Sequence, residues 1–430
     1  MKSTGFDRDL QYVKFCLYGF LKNLRFYEPF LMLFFLEKGL TFAEIGTLYA
    51  TREIFINLFE IPSGVLADAM GRRITLAASF AGYMVAFGTF YAGQEFWLLL
   101  VAMTLYAFGD AFRTGTHKAM IFDYLNEKGW SHLRAHYYGH TRSWSQRGAA
   151  VSALLAAALV FLQGSYAPVF LFTMIPYTLD MILILSYPKS LDGPRQGSQK
   201  SVRDEFAGVL RSLVVTMKQA RVRRAIANQA LYTGYYKACK DYLQPILKTV
   251  ALSAPILLSL ADQERTAILV GVVYAALFGI TAFASRRSGR LADRYQDLIR
   301  PLNLTLLVGI GLGLAGGSLY WLGLPALAVL LYMGIPVVEN LRKPMGIAFV
   351  SERMEQQSLA SGLSVESQVE TLFAAVIAFF LGLLSTLLGL GPAIVIVSVG
   401  AATFGVLIRL RHEPATTEMR VPPGQSLSSR

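Results

Sequence analysis

Cysteine is almost missing from this chain. Cys16 and Cys239 are the only two in 430 residues. Both fall inside predicted helices, so a disulfide framework and a cysteine zinc site are excluded, and both are read as packing residues. Charge is also scarce: Asp, Glu, Lys and Arg make up 16% of the sequence, against about 25% in a soluble protein. The alternating segments of roughly ten residues that mark a membrane β-barrel are absent. No basic cluster carries interleaved aromatics, which argues against a nucleic-acid partner. No metal cluster, nucleophile–base pair or phosphate-binding glycine loop stands out, so the chain is read as a non-enzyme with no cofactor and no bound metal. No cleavable leader is evident, because the N-terminus runs straight into a long apolar stretch.

What the sequence does have is hydrophobic length. Apolar residues make up 54% of it and the mean hydropathy is +0.45, which points to lipid as the solvent. Crossing about 30 Å of hydrocarbon takes a helix of roughly 20 residues. Twelve such spans are predicted, at 11–36, 42–69, 74–93, 96–123, 137–163, 167–187, 225–250, 265–286, 300–320, 325–349, 359–388 and 391–410. Helices satisfy every backbone hydrogen bond internally, as lipid demands. Lys and Arg orient them. With the N-terminus cytoplasmic, Arg72, Arg73, Lys128, Arg134, Arg286, Arg287, Arg290 and Arg294 fall in inward connections, while the outward ones hold little beyond Lys38, Lys248 and Arg265. That is a positive-inside bias, and it places both termini in the cytoplasm. The net charge of +12 is thereby assigned to topology and to contact with anionic membrane lipids.

The chain divides into an N-terminal bundle at 1–187, a cytoplasmic linker at 188–224, a C-terminal bundle at 225–411 and a cytoplasmic tail at 412–430. After Pro188 the composition turns to Pro, Gly, Ser and Gln, typical of a linker. Val202, Phe206, Val209, Leu210, Leu213, Val214 and Met217 then recur at helical spacing, which predicts an amphipathic helix along the inner surface. The halves echo each other. Gly64-Val-Leu-Ala-Asp68 returns 225 residues later as Gly289-Arg-Leu-Ala-Asp293, and Asp110-Ala-Phe-Arg113 returns after 229 as Glu339-Asn-Leu-Arg342. Lys22-Asn-Leu-Arg25 returns after 215 as Lys237-Ala-Cys-Lys240, and Ser145-Gln146 after 222 as Ser367-Gln368. Four matches in order describe a six-helix unit used twice.

Gly64-Val-Leu-Ala-Asp68-Ala-Met-Gly71-Arg72-Arg73, between spans 2 and 3, resembles the signature loop of the major facilitator superfamily, and Gly289, Asp293 and Arg294 stand where that family keeps a degenerate second copy. The resemblance covers helix count, linker and repeat. It implies an all-α polytopic fold of twelve transmembrane helices in two pseudo-symmetric six-helix bundles, alternating access, and a monomer in a bacterial cytoplasmic membrane. It further implies that Asp68 and Arg72 form a conformational latch, while Arg72 and Arg73 can pair with acids on the cytoplasmic face. Ser358 and Ser361 are candidate caps of span 11 beside Asp68. Drug antiporters of the family carry a Gly-Pro-Gly-Gly type run in span 5, which Gly148-Ala-Ala-Val-Ser-Ala lacks.

Ionisable side chains inside a membrane are costly and mark functional sites. Span 1 carries Lys22, Arg25 and Glu28; span 4 carries Asp110 and Arg113; span 7 carries Lys237, Lys240 and Asp241; span 10 carries Glu339, Arg342 and Lys343. The resemblance makes these four spans the lining of a central cavity. Asp110 with Arg113, and Glu339 with Arg342, stand three apart on one helix face and are expected to pair. Seven bases face four acids, which predicts a basic site. The substrate-binding candidates are Lys22, Arg25, Asp110, Arg113, Lys237, Lys240, Glu339 and Arg342, for a small anionic or zwitterionic solute. Glu28, Asp110 and Glu339 are candidate proton carriers, with Glu53 and Glu60 second; solute exchange without proton movement is the alternative. Other readings are a proton-coupled efflux pump for drugs or cationic or metal-chelate compounds, and a non-transporting receptor on the same fold. His132, His136 and His140 are expected on one helix face, where three histidines could hold a metal ion, although no nearby cysteine completes the set.

Overall fold

Proline accompanies three of the four helix breaks. In a computed structural model, described over residues 7–193, 202–255, 258–292, 294–295, 297–353 and 359–411, span 1 consists of α1 (Leu10–Lys22), a turn at Glu28–Phe30 and α2 (Leu31–Glu37). Pro29 lacks an N–H, and its ring collides with the carbonyl four residues back, so the helix stops short of Arg25. Span 2 is α3 (Phe42–Met70), started by a Thr41/Glu44 capping box, and span 3 is α4 (Arg72–Ala92). Span 4 is α5 (Phe96–Arg113) and α6 (Thr116–Glu127), parted at Gly115, whose φ of +82° suits glycine. Span 5 is α7 (Arg134–Gln163) and span 6 is α8 (Pro168–Leu185).

After the linker helix α9 (Val202–Lys218), span 7 is α10 (Ala220–Cys239), a turn at Lys240–Tyr242 and α11 (Leu243–Ser253), with Pro245 four residues past Asp241. Spans 8 and 9 are α12 (Asp262–Ala292) and α13 (Ile299–Trp321). Span 10 is α14 (Pro325–Tyr332) and α15 (Gly334–Ser351), parted four residues before Pro336. Spans 11 and 12 are α16 (Leu359–Leu388) and α17 (Leu390–Leu407). Spans 1, 4, 7 and 10, expected as continuous helices, are therefore the four that are interrupted. Eight helical stretches among the described residues are long and apolar enough to cross a membrane, and spans 1, 2, 7 and 10 are not among them. Their charges and breaks lower the hydropathy that marks the other eight.

Two bundles result. Within the first, α1 packs on α7 and α8, α3 on α5, and α4 on α5 and α8; within the second, α10 packs on α16, α12 on α15, and α13 on α17. Stacked and edge-on rings of Tyr27, Phe80, Tyr83, Phe87, Tyr106, Phe170 and Tyr177 fill the middle of the first bundle. The bundles meet along two seams, α3 on α16 and α7 on α12. Spans alternate in direction, so the start of α1, the end of α17 and the linker helix α9 share one side, here called the linker side.

Both seams are tightest toward the other, far side. A β-carbon on Gly46 would lie 2.6 Å from the Ala378 carbonyl oxygen, and one on Gly382 would lie 2.4 Å from the Phe42 carbonyl oxygen. On the second seam, a β-carbon on Gly271 would meet that of Ala157 at 2.3 Å. Gly382→Val should therefore push α3 and α16 apart and cost about 1–3 kcal/mol by overpacking. Thermal unfolding of the purified variant checks this: a wild-type Tm would mean that the seam tolerates a side chain.

Candidate functional site

The breaks in spans 1 and 7 face each other across the bundle interface. Arg25 and Glu28 project from the first, Lys240 and Asp241 from the second, and these four line two adjoining cavities of about 300 Å³ and about 200 Å³. Toward the larger cavity α3 adds Arg52, Glu53 and Glu60, α5 adds Asp110 and Arg113, and α10 adds Lys237. The smaller one opens toward Ser145, Gln146, Tyr236, Tyr274 and Asn340.

Most of these charges are paired, and two pairs cross between bundles. Lys240 Nζ lies 3.3 Å from Glu28 Oε1 and 3.2 Å from Asp241 Oδ1. Lys237 Nζ lies 3.4 Å from Glu53 Oε2 and 3.9 Å from Glu370 Oε2 of α16. Arg52 reaches Glu53 at 2.9 Å, and Lys343 sits 3.5 Å from Glu370 and 3.9 Å from Glu339. Arg113 holds Asp110 at 2.8 Å and donates from Nε to the Tyr83 hydroxyl at 3.0 Å, while that hydroxyl also donates to Asp110. Arg25 and Glu60 are the exceptions. The Arg25 guanidinium makes no hydrogen bond among the described residues, and its approach to Glu28 is a loose 3.8 Å. Glu60 forms no ion pair among them.

Toward the far side, one amide ties spans 1 and 7 together. Gln244 Oε1 accepts from the backbone N–H of Met32 at 2.8 Å and of Leu33 at 3.4 Å, and Gln244 Nε2 donates to the Glu28 carbonyl at 3.0 Å. The break before α2 leaves those backbone groups without helical partners, and span 7 supplies them. Phe42 stacks on Tyr242 beside this clamp, with ring centroids 6.0 Å apart.

Three expectations are corrected. The larger cavity is not basic: Arg25, Arg52, Arg113, Lys237 and Lys240 meet Glu28, Glu53, Glu60, Asp110 and Asp241, five of each sign. Arg342 does not pair with Glu339 and does not line either cavity. It is fully buried between α10 and α13, where it donates to the backbone carbonyls of Leu302 and of Asn228, the latter at 2.8 Å, and to Asn228 Oδ1 at 2.5 Å. Positions three apart diverge by about 60° around a helix axis, and here the guanidinium finds carbonyls sooner than the carboxylate. Glu339 instead accepts from Thr233 at 3.0 Å, leaving Oε2 without a partner. Lys22 also lies outside both cavities, over the ring of Tyr18 at 5.8 Å.

In the loop after α3, Gly71 takes a φ of +92°, and the carboxyl carbon of Asp192 lies 3.1 Å from where a β-carbon would stand. Arg72 pairs with Asp123. Arg73 grips Asp192 with Nε at 3.0 Å and Nη2 at 2.9 Å. Gly64 and Gly289 each have open space around the Cα, and Arg294 is exposed with no ion pair among the described residues. The side chains of Asp68, His136 and Ser361, and Asp293 and Ser358 altogether, lie outside the described residues. His132 sits in a turn before α7 and His140 within it, so the two do not share a helix face.

Sequence reasoning gave Arg52 and Glu53 only secondary places and passed over Asp180, Gln244, Glu366 and Glu370. The signal for the acids was present, since each lies in a predicted span; Gln244 carried none.

The Major Facilitator Superfamily matches residues 16–367. An uncharacterized MFS-type transporter of Bacillus subtilis (strain 168), YxaM, is 23% identical over 381 residues, 87% of this chain and 88% of that protein. Among solved structures, the nucleoside transporter NupG superposes with a TM-score of 0.69 at 13% identity, covering 93% of this chain and 96% of NupG. A bacterial homologue of the human lysosomal transporter Spinster, in an inward-facing and occupied conformation, gives 0.70 at 17%, covering 96% and 100%. A POT family transporter in complex with a thioalcohol-conjugated peptide gives 0.70 at 14%, covering 93% and 95%.

Arg342 and the cavity charges should separate in experiment. Arg342→Gln strips several carbonyls of a charged donor and should cost about 2–4 kcal/mol of stability. Thermal unfolding reads the loss; an unchanged Tm would show that the carbonyl cage does not hold the second bundle together.

Proposed function

Because the chain belongs to the major facilitator superfamily, we propose that it is a secondary transporter that moves a small zwitterionic solute across the membrane by alternating access. The equal count of acids and bases around the larger cavity carries this reading. A net anion would leave the five carboxylates repelling it, and a net cation would meet the five bases. A solute bearing both signs finds Arg25, held only loosely by Glu28, to take its carboxylate and Glu60 to take its cation. Glu60 lies two turns along α3 from Glu53, a rise of about 10 Å, and a volume of about 300 Å³ sits at the low end for small-molecule sites.

The cross-bundle pairs supply the link between binding and movement. Lys237 with Glu53, and Lys240 with Glu28, tie the bundles together at the site. Rocking must stretch them, and the solute's own charges can take over as partners. The Gln244 clamp and the glycine seams hold the far side shut in this state. The loop at Gly71 to Arg73 acts as the linker-side latch, with Asp123 and Asp192 as the acids it grips. The Bacillus relative supports a bacterial cytoplasmic membrane as its location.

A thermal-shift screen of the purified protein tests the charge argument. Amino acids and betaines should raise Tm, with about 2.7 kcal/mol of added stability at a hundredfold excess over Kd. Arg25→Gln should abolish the shift. Stabilisation by monocarboxylates alone, or by organic cations alone, would overturn the reading. A positive solute should then show counterflow in proteoliposomes, which a receptor would not.

A further inference from the structure

The outer face of the first bundle carries a cavity apart from the central site. Where α1 and α7 cross, their backbones touch: a β-carbon on Gly148 would lie 2.4 Å from the Phe20 carbonyl oxygen, and one on Gly19 would lie 2.8 Å from Ser145 Oγ. Ser145 and Gln146 face the smaller central cavity, while Ser143, Trp144 and Arg147 line a groove on the other side of α7. It encloses about 550 Å³, more than either central cavity. Tyr12 and Cys16 of α1 are its buried floor, and Val13, Leu17 and Trp144 are its exposed apolar rim. Phe20 meets Trp144 edge-on, with ring centroids 6.5 Å apart.

The charge in this groove has one sign. Arg8, His140 and Arg147 line it, and no acid does among the described residues. Asp7 is exposed and does not line the groove, and Asp9 accepts from the Tyr12 N–H at 2.9 Å and from the Tyr124 hydroxyl. Neither arginine forms an ion pair among the described residues. From Arg147 to the end of α7 at Gln163 the helix rises about 24 Å, which places Arg147 just inside the linker-side edge of a hydrocarbon layer about 30 Å thick. Its guanidinium folds back over the Trp144 ring, 4.9 Å from the centroid, as a cation does that reaches for the interface. Tryptophan is itself an interface residue. A charge placed there needs a counter-charge, and the described residues supply none.

We propose that this groove binds an anionic phospholipid of the linker-side leaflet, with its phosphate held by Arg147 and Arg8 and one acyl chain laid along Leu17, Phe20 and Trp144. The two parts of the groove call for the two parts of such a lipid. The arginines take an anion, to which guanidinium groups are well matched, and the apolar rim lies open to the hydrocarbon from which a chain enters. A zwitterionic lipid also offers a phosphate, but it brings a cation against the arginines where no acid receives it. The site lies outside the central cavity, so the inference does not depend on what that cavity carries.

Trp144 reports on the groove. Trp97→Phe, Trp130→Phe and Trp321→Phe together leave it as the chain's one tryptophan, and bromine on an acyl chain quenches an indole that it touches. In phosphatidylcholine vesicles holding a small, equal fraction of brominated phosphatidylglycerol or brominated phosphatidylcholine, the charged lipid should occupy the groove about fivefold more readily. Adding Arg8→Gln and Arg147→Gln should bring the two lipids to parity. Equal quenching by both lipids while the arginines are in place overturns the proposal. So does a Trp144 that neither lipid quenches, as a second copy of the chain seated there would leave it. If the tryptophan variant fails to fold, native mass spectrometry of the unmodified protein, released from micelles holding both lipids in equal amount, decides. Retained phosphatidylglycerol that is lost in Arg147→Gln supports the site; retention that is equal for the two lipids, or unchanged in Arg147→Gln, overturns it.

Discussion

An ionised side chain placed at the centre of a bilayer costs about 2.5–3.5 kcal/mol by insertion measurements, and more on an isolated helix. The rest of this structure is arranged around that constraint. Ten charged side chains from both bundles converge on one cavity, where water and opposite charges meet the cost. Spans 1, 2 and 7, which supply most of them, are too polar or too interrupted to qualify as membrane spans by apolar length alone. They hold their places because other helices shield them from lipid. The ion pairs are thus conditions for folding as well as features of a site. Two of them bridge the bundles, so the same contacts bear on how the halves sit together.

The breaks matter as much as the charges. Pro29 and Pro245 interrupt spans 1 and 7 at matching places, and the freed backbone there is satisfied by Gln244 and by the turns themselves. Non-helical backbone at membrane depth is tolerated only when enclosed by protein or facing a water-filled cavity. Here it does both, presenting Arg25, Glu28, Lys240 and Asp241 at the meeting point of the two cavities. Glycines complete the arrangement on the far side, where Gly46 and Gly382 let two backbones touch.

The internal repeat is a repeat of sequence and helix path more than of chemistry. Arg25 and Lys240 correspond and meet at the cavity, but their neighbours diverge: Lys237 faces the cavity while Lys22 turns into its own bundle. Asp110 and Arg113 are joined through Tyr83, whereas Glu339 and Arg342, at identical spacing, are held apart by Thr233 on one side and by carbonyls of α10 and α13 on the other. The first bundle keeps its arginine for the cavity, and the second uses its arginine as a structural pin.

The sequence by itself determined the polytopic helical fold, because apolar length is a property of local sequence, and the recurrence of short motifs in it suggested the linker and the twofold repeat. It also singled out the charged spans, since a charge within an apolar run stands out without any knowledge of packing. Tertiary structure alone decided where those charges point. Seven predicted bases against four acids became five against five once α3 turned Arg52, Glu53 and Glu60 inward and once Lys22, Glu339, Arg342 and Lys343 fell outside the larger cavity. A side chain's direction depends on the helix it packs against, and a guanidinium at one spacing can reach a carboxylate or a carbonyl depending on a neighbour from another span. Asp180 is the plainest case: one acid in an apolar run of the sequence, and in the folded chain a fully buried carboxylate with no hydrogen-bond partner among the described residues.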